Sequence, residues 1–182
     1  MPATALKIRI YGDLILRKKA KPVLKVQPRH SEVLSAMAKI MYEGGGIGLA
    51  APQVGLSESM IVVDVGNGLY KLINPIIVKR EGFYAIEEGC LSLPGVCLKV
   101  KRARKVLVRA LDESAKSLEI EAEGLLACCL QHEIDHLKGK LIVDYASFID
   151  KLKIRKKLEE LKKRSADESL SKSESKSCKL QL

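Results

Sequence analysis

Apolar residues recur at helical spacing between Ser31 and Tyr42, where Val33, Leu34, Met37, Ile40 and Met41 share one face. Ser31 is a candidate N-cap and Gly44-Gly45-Gly46 a stop, so the pattern predicts a helix over 31–42. Residues 46–55 are too rich in Gly, Ala and Pro for an ordinary helix or strand. The apolar run 60–65 predicts a buried strand, and 70–78 another, with Asn74-Pro75 imposing an edge position or a bend. Apolar positions alternate at 96–100, 105–111 and 118–122, which predicts strands. The polar stretch 112–117 between the last two reads as a hairpin turn. Gly124 opens a predicted helix that runs to about Lys138, with Gly139 as its stop, and 148–164 is a second, highly charged helix. From Ser165 onward Ser, Lys and Glu dominate and periodicity is lost, which predicts a disordered tail over 165–182. The order of elements predicts one α+β domain over 1–164, with antiparallel β-sheets packed around a central helix and a C-terminal helix.

A chain of 182 residues suits one domain. With 47% hydrophobic residues but only 4% aromatics and no Trp, aliphatic side chains must build the core. The net charge of +10 favours anionic partners such as RNA or acidic membrane surfaces, and fits a lysine-rich solvated surface equally well. No apolar run is long enough to span a bilayer, and the N-terminus lacks the apolar stretch of a signal peptide, so a reducing cytoplasm is the expected location. The 5 cysteines are odd in number, and two are adjacent, which argues against a disulfide framework. Each is then a small buried group, a ligand or a nucleophile.

Candidate chemistry concentrates in Gln131-His132-Glu133-Ile134-Asp135-His136, inside the predicted helix 124–138. Two His residues four apart lie on one helix face about one turn apart, so both imidazoles can reach one metal ion. Glu133, at the edge of that face, can contact a metal-bound water and take its proton. A metal lowers the pKa of such a water to about 7. Taken alone, the pattern fits a metal pair or two ordinary surface histidines. The third His of the chain, His30, lies far away and reads as a surface residue.

Catalytic sites usually have three protein ligands and an open position. An ion shared by His132 and His136 lies about 3 Å up the axis from His132, and Cys129 about 4.5 Å below it. The short Cys129 side chain cannot close that gap to a bond of about 2.3 Å. Cys129 is expected to pack beside the site and Cys128 in the core. Cys90, in Glu88-Gly89-Cys90-Leu91-Ser92 between predicted strands, is the better third ligand.

Three motifs therefore stand in order: Gly46-Ile47-Gly48-Leu49-Ala50-Ala51-Pro52-Gln53, then Glu88 to Ser92, then Gln131 to His136. In this order and spacing the chain resembles the peptide deformylase family. The resemblance extends to Tyr11-Gly12-Asp13 and Leu16-Arg17, and to Gly139-Lys140-Leu141 and Asp144-Tyr145, leaving out the tail. It implies removal of the N-formyl group from the formylmethionine that begins newly made proteins. It implies Cys90, His132 and His136 as ligands with water in fourth place, and Fe²⁺ as the ion, with Zn²⁺, Ni²⁺ or Co²⁺ able to substitute. It assigns Glu133 to proton transfer from water to leaving amine, and the Leu91 N–H and Gln53 side chain to the developing oxyanion. Ile47 and Gly48 would receive the peptide as an added strand, and Leu125 and Cys129 would line the methionine pocket.

Cys97 departs from the family, which often carries a larger polar or aromatic side chain there; this bears on pocket shape, not on the chemistry. Lys151, Lys153, Arg155, Lys156, Lys157, Lys162, Lys163 and Arg164 crowd the last helix, and Asp150, Glu159 and Glu160 offset only part of that charge. A solvated face accounts for this, and the resemblance adds docking to ribosomal RNA. No membrane or DNA partner is expected. Two other readings compete. A zinc endopeptidase of the HExxH type shares the two-His helix but takes a His or acidic ligand downstream, and no later His exists. An RNA-associated protein with a structural metal would need four ligands.

Overall fold

The computed structural model describes residues 6–166. The first helix, α1 (Pro28–Glu43), starts earlier than its hydrophobic pattern predicts. Pro28 presets the first helical turn, and the Gln27 N–H donates to His30 Nδ1 at 2.8 Å. His30 is therefore a buried capping residue and not the surface residue expected. Ser31 lies past the helix start, and its hydroxyl donates instead to Glu113 Oε2 at 2.8 Å.

The sheet is an antiparallel meander in the order β1-β2-β3-β4-β5. Its strands are β1 (Gly48–Ala50), β2 (Met60–Val63), β3 (Tyr70–Glu88), β4 (Leu98–Leu111) and β5 (Ser117–Glu123). β1 arises from the Gly/Ala/Pro stretch and ends in a single 3-10 turn, 51–54. β3 extends well beyond its predicted end because residues 79–83 are exposed on both faces and carry no alternation; pairing with β4 holds them. Asn74 supplies the expected bend. It adopts φ 53° at a register shift, and its side-chain amide spans the Val23 N–H and C=O at 2.8 Å each. β4 joins two strands that the sequence pattern separates. The expected turn 112–117 connects it to β5.

Helix α2 (Gly124–Leu137) packs on β4, β1 and β2, with Leu126, Ala127, Leu130 and Ile134 against Ile61, Val63, Val106 and Val108. Only three of its fourteen residues escape burial, so α2 is a central helix rather than a surface one. Helix α1 covers a second cluster through Leu34, Met37 and Met41. A third cluster joins Cys90, Leu93, Val96 and Leu98 to Leu141, Ile142, Val143 and Leu161. Leu161 belongs to α3 (Phe148–Ala166), which ends slightly beyond its predicted limit. The expected disordered tail otherwise falls outside the described residues, as does Cys178. Among the described residues Cys90, Cys128 and Cys129 carry free thiols, all three buried. No helix among the described residues is long and apolar enough to cross a membrane.

Candidate metal centre

β3 delivers Glu88 and then turns into a loop carrying Cys90, closed by hydrogen bonds from Leu93 N to Cys90 O (2.9 Å) and Val96 N to Leu93 O (3.1 Å). α2 turns His132, Glu133 and His136 toward the same point. Cys90 Sγ lies 3.3 Å from His136 Nε2, which lies 3.2 Å from His132 Nε2. Two nitrogens bound at 2.0–2.1 Å to one tetrahedral ion would stand about 3.3 Å apart. The spacing of the three buried ligand atoms therefore fits a single ion.

The protonation states agree with that fit. His132 Nδ1 lies 2.9 Å from Glu88 Oε2, so this nitrogen carries the hydrogen and Nε2 presents its lone pair to the site. Burial, with His132 adding, holds the His136 imidazole well below its ordinary pKa, and a neutral ring is the ligating form. Burial pushes the Cys90 thiol up, and the Glu133 charge adds to this; a bound cation would reverse that preference. Both Glu133 oxygens are buried and lack a hydrogen-bond partner among the described residues. Burial, then the Glu88 charge, pushes the Glu133 carboxyl well above the usual range. Such a group is ready to hold a proton.

Gln53, fully buried, is fixed by its Oε1, which accepts from Ala50 N–H at 2.7 Å. Its Nε2 is thereby turned toward Ser92 Oγ (3.2 Å) and Cys90 Sγ (3.6 Å). Leu91 follows Cys90 in the loop, and its side chain lies against Gly46, where an added Cβ would meet Leu91 Cδ1 at 2.8 Å. Gly48 is needed for a sharper reason: a Cβ there would collide with Glu133 Oε1 and meet Cys129 Sγ at 2.7 Å. Ile47 and Leu125 are partly exposed and pack against the core cluster that contains Cys129. Cys129 is not at the ligand cluster; its thiol donates to Ile47 O at 3.4 Å. It is fully buried, and its sulfur lies close to Gly48 of β1.

One part of the site escaped sequence reasoning. Arg102 Nε and Nη2 donate to the two Glu88 oxygens at 2.6 and 2.8 Å, and Nη1 donates to Asp135 Oδ2 at 2.6 Å. Tyr145 Oη donates to the same Asp135 oxygen at 2.7 Å, and its ring lies over the guanidinium. This network holds the carboxylate that holds His132. The available signal was the alternation Leu98, Val100, Arg102 on the inward face of β4, since a buried cation requires a buried anion.

Two imidazoles, a thiol, a free carboxyl and a fixed amide donor around one corner define a mononuclear metal-dependent hydrolase. Residues 5–152 match the family model described as Polypeptide deformylase. The chain is 51% identical to the peptide deformylase of Thermoanaerobacter pseudethanolicus over 144 residues, 79% of this chain and 91% of that one. It is 52% identical to that of Caldanaerobacter subterraneus subsp. tengcongensis over 145 residues, again 79% and 91% of the two chains. Among solved structures, a peptide deformylase from Legionella pneumophila superposes with a TM-score of 0.82 at 44% identity, covering 90% of this chain and 98% of that one. The one from Thermus thermophilus gives 0.83 at 38% identity, covering 87% and 98%. The chain belongs to the polypeptide deformylase family. That membership sets aside the endopeptidase alternative.

Proposed function

We propose that this protein is a peptide deformylase, a hydrolase that removes the formyl group from N-terminal formylmethionine of newly synthesised proteins. The observation that carries the reading is the convergence of Cys90 Sγ, His132 Nε2 and His136 Nε2 beside an unpartnered, buried Glu133. A divalent ion held by these ligands supplies Lewis acidity and lowers the pKa of the water it binds. Fe²⁺ is the resident ion in this reading, with Zn²⁺, Ni²⁺ or Co²⁺ able to replace it.

Glu133 takes the proton of the attacking water and delivers it to the departing amine, a role its buried carboxyl with both oxygens unpartnered suits. Gln53 Nε2 and the Leu91 N–H stabilise the oxyanion. Because Ala50 fixes Gln53 Oε1, the donor end needs no reorganisation as charge develops, and one such donor is worth about 10²–10³ in rate. β1 is the first strand of the sheet, and its outer edge at Gly48, with Ile47 just before it, receives the peptide as an added strand in this reading. Leu125 lines the methionine pocket, with Cys129 shaping it from behind.

The nascent formylmethionyl chain is the macromolecular substrate, and the cytoplasm the proposed location. The exposed lysines of α3 support docking to ribosomal RNA; co-sedimentation with ribosomes that persists at low salt after deletion of 148–182 would refute that part. The decisive assay is formate release from formyl-Met-Ala-Ser by protein purified anaerobically, with metal analysis on the same sample. Cleavage of an internal peptide bond without formate release would overturn the proposal.

A further inference from the structure

We infer that Gln131 is a positioning residue that sets the axial register of the metal-binding helix by completing the open edge of β4. β5 pairs with β4 only from Lys105 to Leu111, and at Gly124 the chain leaves the sheet to become α2. Ala103 therefore has no β5 partner, although it is only 1% exposed. The Gln131 side chain takes the place of the missing strand. Its Oε1 accepts from Ala103 N–H and its Nε2 donates to Ala103 O, both at 2.9 Å. The same Nε2 donates to Ala127 O at 2.9 Å, one turn back on α2. A side-chain amide thus stands in for a peptide group, and a buried backbone edge is satisfied that would otherwise be orphaned.

The consequence reaches the ligands because Gln131 directly precedes His132. Sliding a helix by one residue moves each side chain 1.5 Å along the axis and rotates it by about 100°. Metal–nitrogen bonds tolerate only about 0.2 Å. Apolar packing of α2 is compatible with small slides, whereas the amide pair on Ala103 admits one register. Adjacent β4 residues therefore grip the turn that carries the ligands, Ala103 through Gln131 and Arg102 through Asp135.

This inference rests on the ligand set proposed above. The test compares the parent with Gln131→Met, Gln131→Glu and Leu130→Ala, each loaded with Co²⁺. Three quantities are read: Co²⁺ affinity by chelator competition, the visible and thiolate-to-Co²⁺ absorption bands, and the melting temperature. Leu130 is fully buried in the core cluster and its side chain has no polar group with which to bond a ligand or Ala103, so Leu130→Ala lowers the melting temperature and leaves affinity within about twofold. Both Gln131 variants are expected to weaken Co²⁺ binding at least tenfold, as loss of supporting contacts around a metal commonly does, and to alter the bands. If Gln131→Met does not fold, Gln131→Glu, which keeps an acceptor for Ala103 N–H, carries the test. Affinity within twofold of the parent and superimposable bands in Gln131→Glu would overturn the clamp while leaving the ligand set intact. A parent without a thiolate band would overturn both.

Discussion

Replacing Arg102 by Met tests whether the buried polar network supports the metal centre or merely accompanies it. The side chain is 4% exposed and Glu88 0%, so the change removes two charge-assisted bonds from a carboxylate that cannot reach water. It also removes the Arg102 bond to Asp135. Deleting one partner of a buried ion pair costs about 3–5 kcal/mol. For a domain of this size, 1 kcal/mol corresponds to about 2–4 °C, so a fall of roughly 6–20 °C in Tm is expected at pH 7. The pH dependence is specific. Burial alone would raise the Glu88 carboxyl, but hydrogen bonds from Arg102 and His132 and their charges outweigh it and hold the group below its ordinary 4.5. A depressed carboxyl contributes stability that is present above 4.5 and lost as pH falls through its folded value. The parent forfeits this contribution in acid and Arg102→Met has little of it to forfeit, so the two melting curves converge as pH falls below about 4.5. Calorimetry of both proteins from pH 7 down to about pH 3 reads the difference, and chelator competition at pH 7 should show Co²⁺ held about 10–100-fold more weakly. A difference below 1 kcal/mol at pH 7, or one that does not change with pH, would refute the reasoning.

Three further outcomes follow from the same geometry. Gly48→Ala places a methyl against Glu133 and Cys129 and should cost about 1–3 kcal/mol together with most of the turnover; wild-type formate release would show that β1 yields more easily than its packing implies. Glu133→Gln should keep one metal per chain and lose about 10²–10⁴ in turnover; retained turnover would point to another base. Removing the ion with a chelator should abolish turnover and lower Tm, since an ion at about 1,000 times its Kd stabilises by about 4 kcal/mol, and Co²⁺ should restore both; an unchanged Tm in calorimetry would mean that the ligands hold no ion.

The convergence of the two imidazoles was legible because helical spacing is local. His132 and His136 must share a face, and the same arithmetic excludes Cys129, whose thiol bonds to Ile47 O instead. What was not legible depends on partners far along the chain. His30 reads as a surface residue until the Gln27 N–H and Glu58 are seen to enclose it, and Ser31 reads as a cap until Pro28 moves the helix start. The second half of β3 has no apolar alternation because pairing with β4, not burial, holds it in the sheet.

Arg102 is the instructive case, because the information was present in the pattern and its meaning was not. Alternation assigns Leu98, Val100 and Arg102 to one face of β4, and a cation on a core face is a contradiction unless an anion meets it. Glu88 supplies one by the same alternation on β3, after Tyr84 and Ile86, and Asp135 supplies another from α2. Three elements that share no local pattern are thus bound to one guanidinium, and two of them carry or orient metal ligands. Apolar packing alone would hold β3, β4 and α2 together but tolerate small relative shifts. A bidentate ion pair with a third charge-assisted bond tolerates few. The polar core beside the metal therefore costs desolvation and returns geometry, which is what a site of three converging ligand atoms requires.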